Sequence, residues 1–146
     1  MARNEAHISA PPEAVWAMLS DPYSYPRWVV GTDRTTEADA DWPAPGSAFT
    51  VRFPLGLEDL THCREVDAGR RIVLDAGGGP WGAARVEIRL RPDGDGTHVT
   101  LIEDPAGLVA PLRFVPPVHW LTWLRNTEAL RRFSRLAETY RTPSSA

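Results

Sequence analysis

The side chains able to do chemistry are few and scattered. Glu103 stands in the run HVTLIED and shares strand parity with Val99 and Leu101. If that face points inward, a carboxylate lies among apolar groups. Burial would then raise its pKa unless a cation or hydrogen-bond donors pair with it. Arg125 and Asn126 are the partners the order of the chain suggests. Proton abstraction next to a carbonyl needs a base and a donor for the developing enolate. Glu103, Tyr25 and Arg125 are the residues that could supply them, although nothing in the sequence brings the three together. The plainer alternative is a strand-end carboxylate in solvent, or an ion pair tying strand to helix.

Other reactive types point to structure. His62 and Cys63 are neighbours on a strand, so they face opposite ways and cannot form a nucleophile–base pair. Cys63 reads as a small core residue and His62 as a surface one. His119, at the start of the last helix, fits a capping or cavity-mouth position. The four histidines lack the spacing of a metal site. Gly77-Gly78-Gly79-Pro80 breaks the strand run at residues 71–75; it has no following Lys-Ser/Thr, so it is no phosphate loop. No metal and no cofactor is expected.

The elements that must position these residues are legible. From His119 to Arg141, Trp120, Trp123, Leu124, Thr127, Leu130, Phe133, Ala137 and Tyr140 recur three and four apart, opposite Arg125, Glu128, Arg131, Arg132, Arg135 and Glu138. This is an amphipathic helix of about six turns. Pro116 and Pro117 block helix from upstream and Pro143 lies beyond the end. Its apolar stripe requires a wide partner, and only a sheet from the middle of the chain can provide it.

Ala2 to Ser9 reads as a strand, and SAPPEAVWAML as a short helix opened by prolines. PYSYPRWVVG follows, a second short helical turn or structured loop. Its aromatics, Tyr23, Tyr25 and Trp28, form either a plug closing the core or a pocket wall. From Val30 to Asp104 the chain reads as six antiparallel strands, with the first a polar edge. Phe49, Val51 and Phe53 alternate with polar residues. Residues 85–91 show the clearest period of two, with an Arg/Glu face for solvent. PDGDG is a hairpin turn. Residues 106–117, apolar with prolines, form either a lid or a packed connection.

Composition bounds the rest. A chain of 146 residues is most simply one domain, 1–141, with a disordered tail at 142–146. The net charge of −3 argues against nucleic-acid binding, so the Arg face of the last helix should be solvated. A single cysteine fits a reducing cytoplasm. The start MARNEAHIS has no apolar run, so no signal peptide is expected, and no stretch approaches a membrane span.

The order strand, two short helices, six strands, long helix resembles the START-like (SRPBCC) superfamily. PPEAVWAMLSDPYSYPRWVVG, PDGDGTHVTLIED and LRNTEALRRFSRLAE resemble its polyketide cyclase/dehydrase and lipid-transport branch. The resemblance covers nearly the whole chain. It implies an α+β helix-grip fold, in which about seven antiparallel strands curve around the C-terminal helix and leave a hydrophobic cavity between. It implies a hydrophobic small molecule as partner (a lipid, a quinone or a polyketide-like compound), in a monomer or homodimer without integral membrane association. Tyr25, Trp28, Phe53, Glu103, Trp123, Asn126 and Leu130 are the expected ligand-lining residues. No motif carries over a catalytic residue. A binding or transport protein is therefore the first reading. An aromatase/cyclase or dehydratase using the same cavity is the second, and an interaction module with a filled cavity the third.

Overall fold

The computed structural model describes residues 2–79, 82–106 and 116–140. Residues 107–115 of the segment 106–117, expected as a lid or a packed connection, the tail at 142–146 and the side chain of His119 fall outside the described residues.

The elements run β1 (Ala2–Ile8), α1 (Pro12–Leu19), a 3₁₀ segment (Pro22–Arg27), β2 (Arg34–Ala38), β3 (Ala48–Arg52), β4 (Glu58–Asp67), β5 (Arg71–Gly79), β6 (Gly82–Asp93), β7 (Gly96–Ala106) and α2 (Pro116–Thr139). The seven strands form one antiparallel sheet in the order β1-β7-β6-β5-β4-β3-β2. This is the α+β helix-grip arrangement that the resemblance implies. Strands β2 to β7 form a meander of short turns, and β1 pairs with the last of them.

Pairing fixes which face is which. Ile72 lies opposite Ile88, Leu74 opposite Val86, Ile88 opposite Leu101 and Leu90 opposite Val99, all facing inward. On the outer face Arg64 and Arg85 both reach Asp75, at 3.3 and 2.9 Å. Arg71 reaches Glu87 at 2.8 Å and Glu65 at 3.2 Å. Such exposed pairs add little stability each; they keep that face wet, as the period-two pattern requires. Gly96 marks a close approach: a Cβ there would stand 2.3 Å from the Ile8 carbonyl oxygen. Only glycine fits where β1 crosses the β6–β7 turn.

Two expectations are corrected at this level. The terminal helix begins at Pro116, not His119. The two prolines sit in its first turn, where no backbone donor is needed. The Gly77–Pro80 run does not end β5 at residue 75. The strand continues to Gly79 through a register shift between Gly77 and Gly79, with Gly77 at φ +99°. Glycine absorbs this bulge because it lacks the Cβ that disfavours positive φ.

The core packs the second half of α2 against the sheet. Leu130, Phe133, Leu136, Ala137 and Tyr140 are buried with Ile72, Ile88, Val99 and Leu101. Expectation and structure part in the first half. Trp120, Trp123 and Leu124 were placed on the sheet-facing stripe, yet they are 67%, 43% and 43% exposed. Periodicity names a face of the helix. It does not say how far the partner sheet extends along the axis.

Candidate functional site

The inner space has two dissimilar ends. At one, the 3₁₀ segment delivers aromatics into a packed cluster. The Tyr25 ring lies 4.8 Å from that of Phe49 and 5.1 Å from Trp28. Trp42 meets Phe49 edge-on at 4.6 Å, and Trp28 meets Phe133 at 4.9 Å. Helix α1 leaves unpaired carbonyls at its C-terminus, as every helix does, and side chains from later in the chain supply the donors. The Tyr25 hydroxyl (2.9 Å) and the Trp42 indole (3.2 Å) both donate to the Leu19 carbonyl, and the Ser24 hydroxyl donates to Met18 at 2.6 Å. Further along, the Tyr140 hydroxyl donates to Asp21 at 2.6 Å, closing α2 onto the loop. Burial raises the Tyr25 hydroxyl well above its usual pKa. Committed to a carbonyl and sealed by rings, Tyr25 is placed as part of a plug.

At the other end, the start of β1 and the end of β7 meet the middle of α2. Parity put Glu103 on the inner face with Val99 and Leu101, and the structure agrees: it pairs across β1 with Ala2 and keeps 13% of its side chain exposed. Arg125 donates to its carboxylate. Arg125 itself is about half exposed, so the pair ties the last strand to the helix at a partly wet position. Here the inner face changes in bulk. Where Leu74 and Val86 face each other further in, Ala76 faces Ala84, and Thr61 lies beside Ala76. Small side chains leave room that Leu or Ile would fill. Phe53, just past β3, is partly buried.

Two polar atoms stand out on the inner walls. Trp28 and Asn126 are only 4% and 3% exposed. Neither the Trp28 indole Nε1 nor the Asn126 amide Nδ2 has a hydrogen-bond partner. Leaving a buried donor unmet costs roughly 1–3 kcal/mol, so such groups call for an explanation. Asn126 lies one turn before Leu130 and two before Phe133, against which Trp28 packs. The two donors are thus offset by about 10 Å along the helix axis.

The expected lining set is therefore divided. Tyr25 and Trp28 belong to the aromatic end. Glu103 meets Arg125 near the middle of α2, with Asn126 the next residue, about 12 Å back along the helix from the Phe133 contact. Leu130 lies between. Trp123 stands outside, where its backbone carbonyl accepts from Asn4 at 3.2 Å. Tyr25, Glu103 and Arg125 do not form one constellation. Two residues escaped the sequence reading. Asn4 is buried on β1 and also donates to Thr127 at 2.9 Å, and only its parity with Ala6 and Ile8 could have flagged it. Trp42 sits in a Pro-rich turn and reads as loop, yet it is core. Among the described residues no cluster of His, Cys, Asp and Glu could hold a metal. No helix there is long and apolar enough to cross a membrane.

A seven-stranded antiparallel sheet gripping a C-terminal helix places the molecule in the SRPBCC superfamily. Within it, the chain belongs to the polyketide cyclase/dehydrase and lipid transport family, whose profile matches residues 2–138. No curated protein matches. Solved structures share the fold. CV1439 from Chromobacterium violaceum is 22% identical with a TM-score of 0.71, covering 93% of this chain and 95% of that one. MLL2253 from Mesorhizobium loti is 17% identical, also at 0.71, over 96% and 98%. DynU16, from the dynemicin biosynthetic locus, is 21% identical at 0.63; the match covers 97% of this chain and 48% of DynU16. At these identities the likeness concerns fold alone.

Proposed function

We propose that the protein binds an apolar or aromatic small molecule with oxygen acceptors, such as a quinone or a polyketide-like compound, between the sheet and α2. The observation that carries this reading is the pair of unpartnered buried donors, Trp28 Nε1 and Asn126 Nδ2. A carbonyl on an otherwise apolar ligand would satisfy either, and few convergent polar groups among apolar walls is the usual make-up of a ligand site. The small inner residues Thr61, Ala76 and Ala84 make the room, Leu130 and Phe53 supply apolar wall, and Glu103 with Arg125 forms a polar rim.

Binding is favoured over catalysis because the expected acid–base set is not assembled. The Tyr25 hydroxyl is spent on the Leu19 carbonyl, and the Glu103 carboxylate is held by Arg125. A filled interaction module is disfavoured by the same orphaned donors, which a purely structural core would pair.

The test is a matched pair of probes, 1,4-naphthoquinone and naphthalene, titrated by calorimetry, with native mass spectrometry of protein from its own host to catch a resident ligand. The quinone should bind more tightly by about tenfold, one good hydrogen bond, and Asn126→Leu should close the gap. Equal affinity for both probes in the unaltered protein contradicts the reading.

A further inference from the structure

A cavity lies outside the sheet–helix interior. It is a groove of about 530 Å³ between the free edge of β1 and the flank of α2, a size typical of small-molecule sites. Its apolar part is Ala6, Leu130 and the half-exposed Trp123 indole. Asn4 borders it with a buried Oδ1 that no donor reaches. Its polar part is Arg131, Ser134 and Arg135. Arg131 and Arg135 stand one turn apart, a like-charge spacing that weakens a helix. Arg131 has only a 3.7 Å contact with Glu128, and Arg135 has no ion-pair partner among the described residues. Two carboxylates also line the groove. Glu5 is engaged by His98 at 2.9 Å and Arg3 at 3.8 Å. Glu138 lies a turn beyond Arg135, where like charge disfavours an anion.

We propose that this groove is a second binding site, for an amphipathic organic anion. The anionic head sits between the Arg131 and Arg135 guanidiniums with Ser134 as a further donor, and the apolar body lies along Leu130, Ala6 and Trp123. Guanidinium forks suit carboxylate and phosphate alike, so a free acid and a lipid headgroup share the chemistry. The site shares Leu130 with the interior one, but its charges lie on a face of α2 that the Trp28 and Asn126 donors do not share.

Octanoate and octanol, titrated into ¹⁵N-labelled protein below aggregation, test it, with phosphatidylglycerol vesicles in a sedimentation arm. Octanoate should shift the amides of Asn4–Ala6 and Arg131–Arg135 saturably, and octanol far less. Arg131→Gln/Arg135→Gln should weaken binding at least about tenfold, the scale of lost charge-assisted contacts. Arg132→Gln, a control on another flank, should not. Asn126→Leu should leave the groove shifts intact, which separates this site from the interior. Vesicle binding that the double variant abolishes identifies a lipid headgroup as the source, and octanoate binding alone identifies a soluble acid. Neither ligand binding, equal response to octanol, or binding indifferent to the double substitution overturns the proposal.

Discussion

The two halves of α2 do different work. From Leu130 to Tyr140 the inward stripe is wholly buried, ring against ring, with its polar tip Tyr140 paired to Asp21. From Trp120 to Asn126 the same helix exposes two tryptophans and buries an amide with nothing to bind. The packed half departs from the rules of a stable core at one atom, the unpaired Trp28 Nε1 beside Phe133. The other half departs in two ways, apolar exposure and polar satisfaction, at the end where the strands carry small inner residues. Local rule-breaking of this kind is how ligand sites differ from scaffolds.

The comparison can be broken most severely at Phe133. Phe133→Ala should cost about 3–5 kcal/mol, read by chemical denaturation, because the ring closes the Trp28 contact and the site cannot collapse. Leu130→Ala, at the boundary, should cost about 2–5 kcal/mol, and a change below about 0.5 kcal/mol would mean that it faces open space. Tyr140→Phe should cost about 1–2 kcal/mol by removing the hydrogen bond to a carboxylate. In the other half the effects should nearly vanish. Asn126→Leu should stay within about 1 kcal/mol of the parent, since its amide donor is unpaired. Trp120→Ser should stay within about 0.5 kcal/mol. A large loss at Asn126 would erase the distinction between the halves.

The outer face offers a smaller effect that pH reads. Arg89 and Arg71 hold the Glu87 carboxyl below its ordinary pKa. A lowered folded-state pKa means stability present above the unfolded carboxylate value and lost as pH falls through the folded one. Glu87→Gln should therefore leave stability at low pH unchanged and flatten the acid limb by lowering the neutral-pH plateau, by no more than about 1 kcal/mol given solvent screening of the pairs.

Much of the fold was readable because strand and helix periods are local. Residues 85–91 showed their two faces by alternation alone, and the parity of Glu103 with Val99 and Leu101 tied its position to theirs, while which face was inner had to come from the fold. The site was less readable because it depends on where elements end relative to one another. Nothing in PYSYPRW says whether its rings plug or line a cavity. Tyr25 and Trp28 meet Phe49, Trp42 and Phe133, whereas Tyr23 stays exposed. Trp123 has the same helical phase as Leu130 and differs only in lying past the packed stretch. Asn4 was overlooked because one polar residue in a short strand looks like surface, until the helix crossing it is known.

The most direct test observes the two unpartnered donors themselves. In ¹H–¹⁵N spectra, with the Trp28 indole and Asn126 amide signals assigned through Trp28→Phe and Asn126→Leu, 1,4-naphthoquinone is added to saturation. Hydrogen bonding to a ligand carbonyl predicts that at least one of the two signals moves downfield, while naphthalene leaves both in place. Saturating quinone with both signals unmoved would contradict the account.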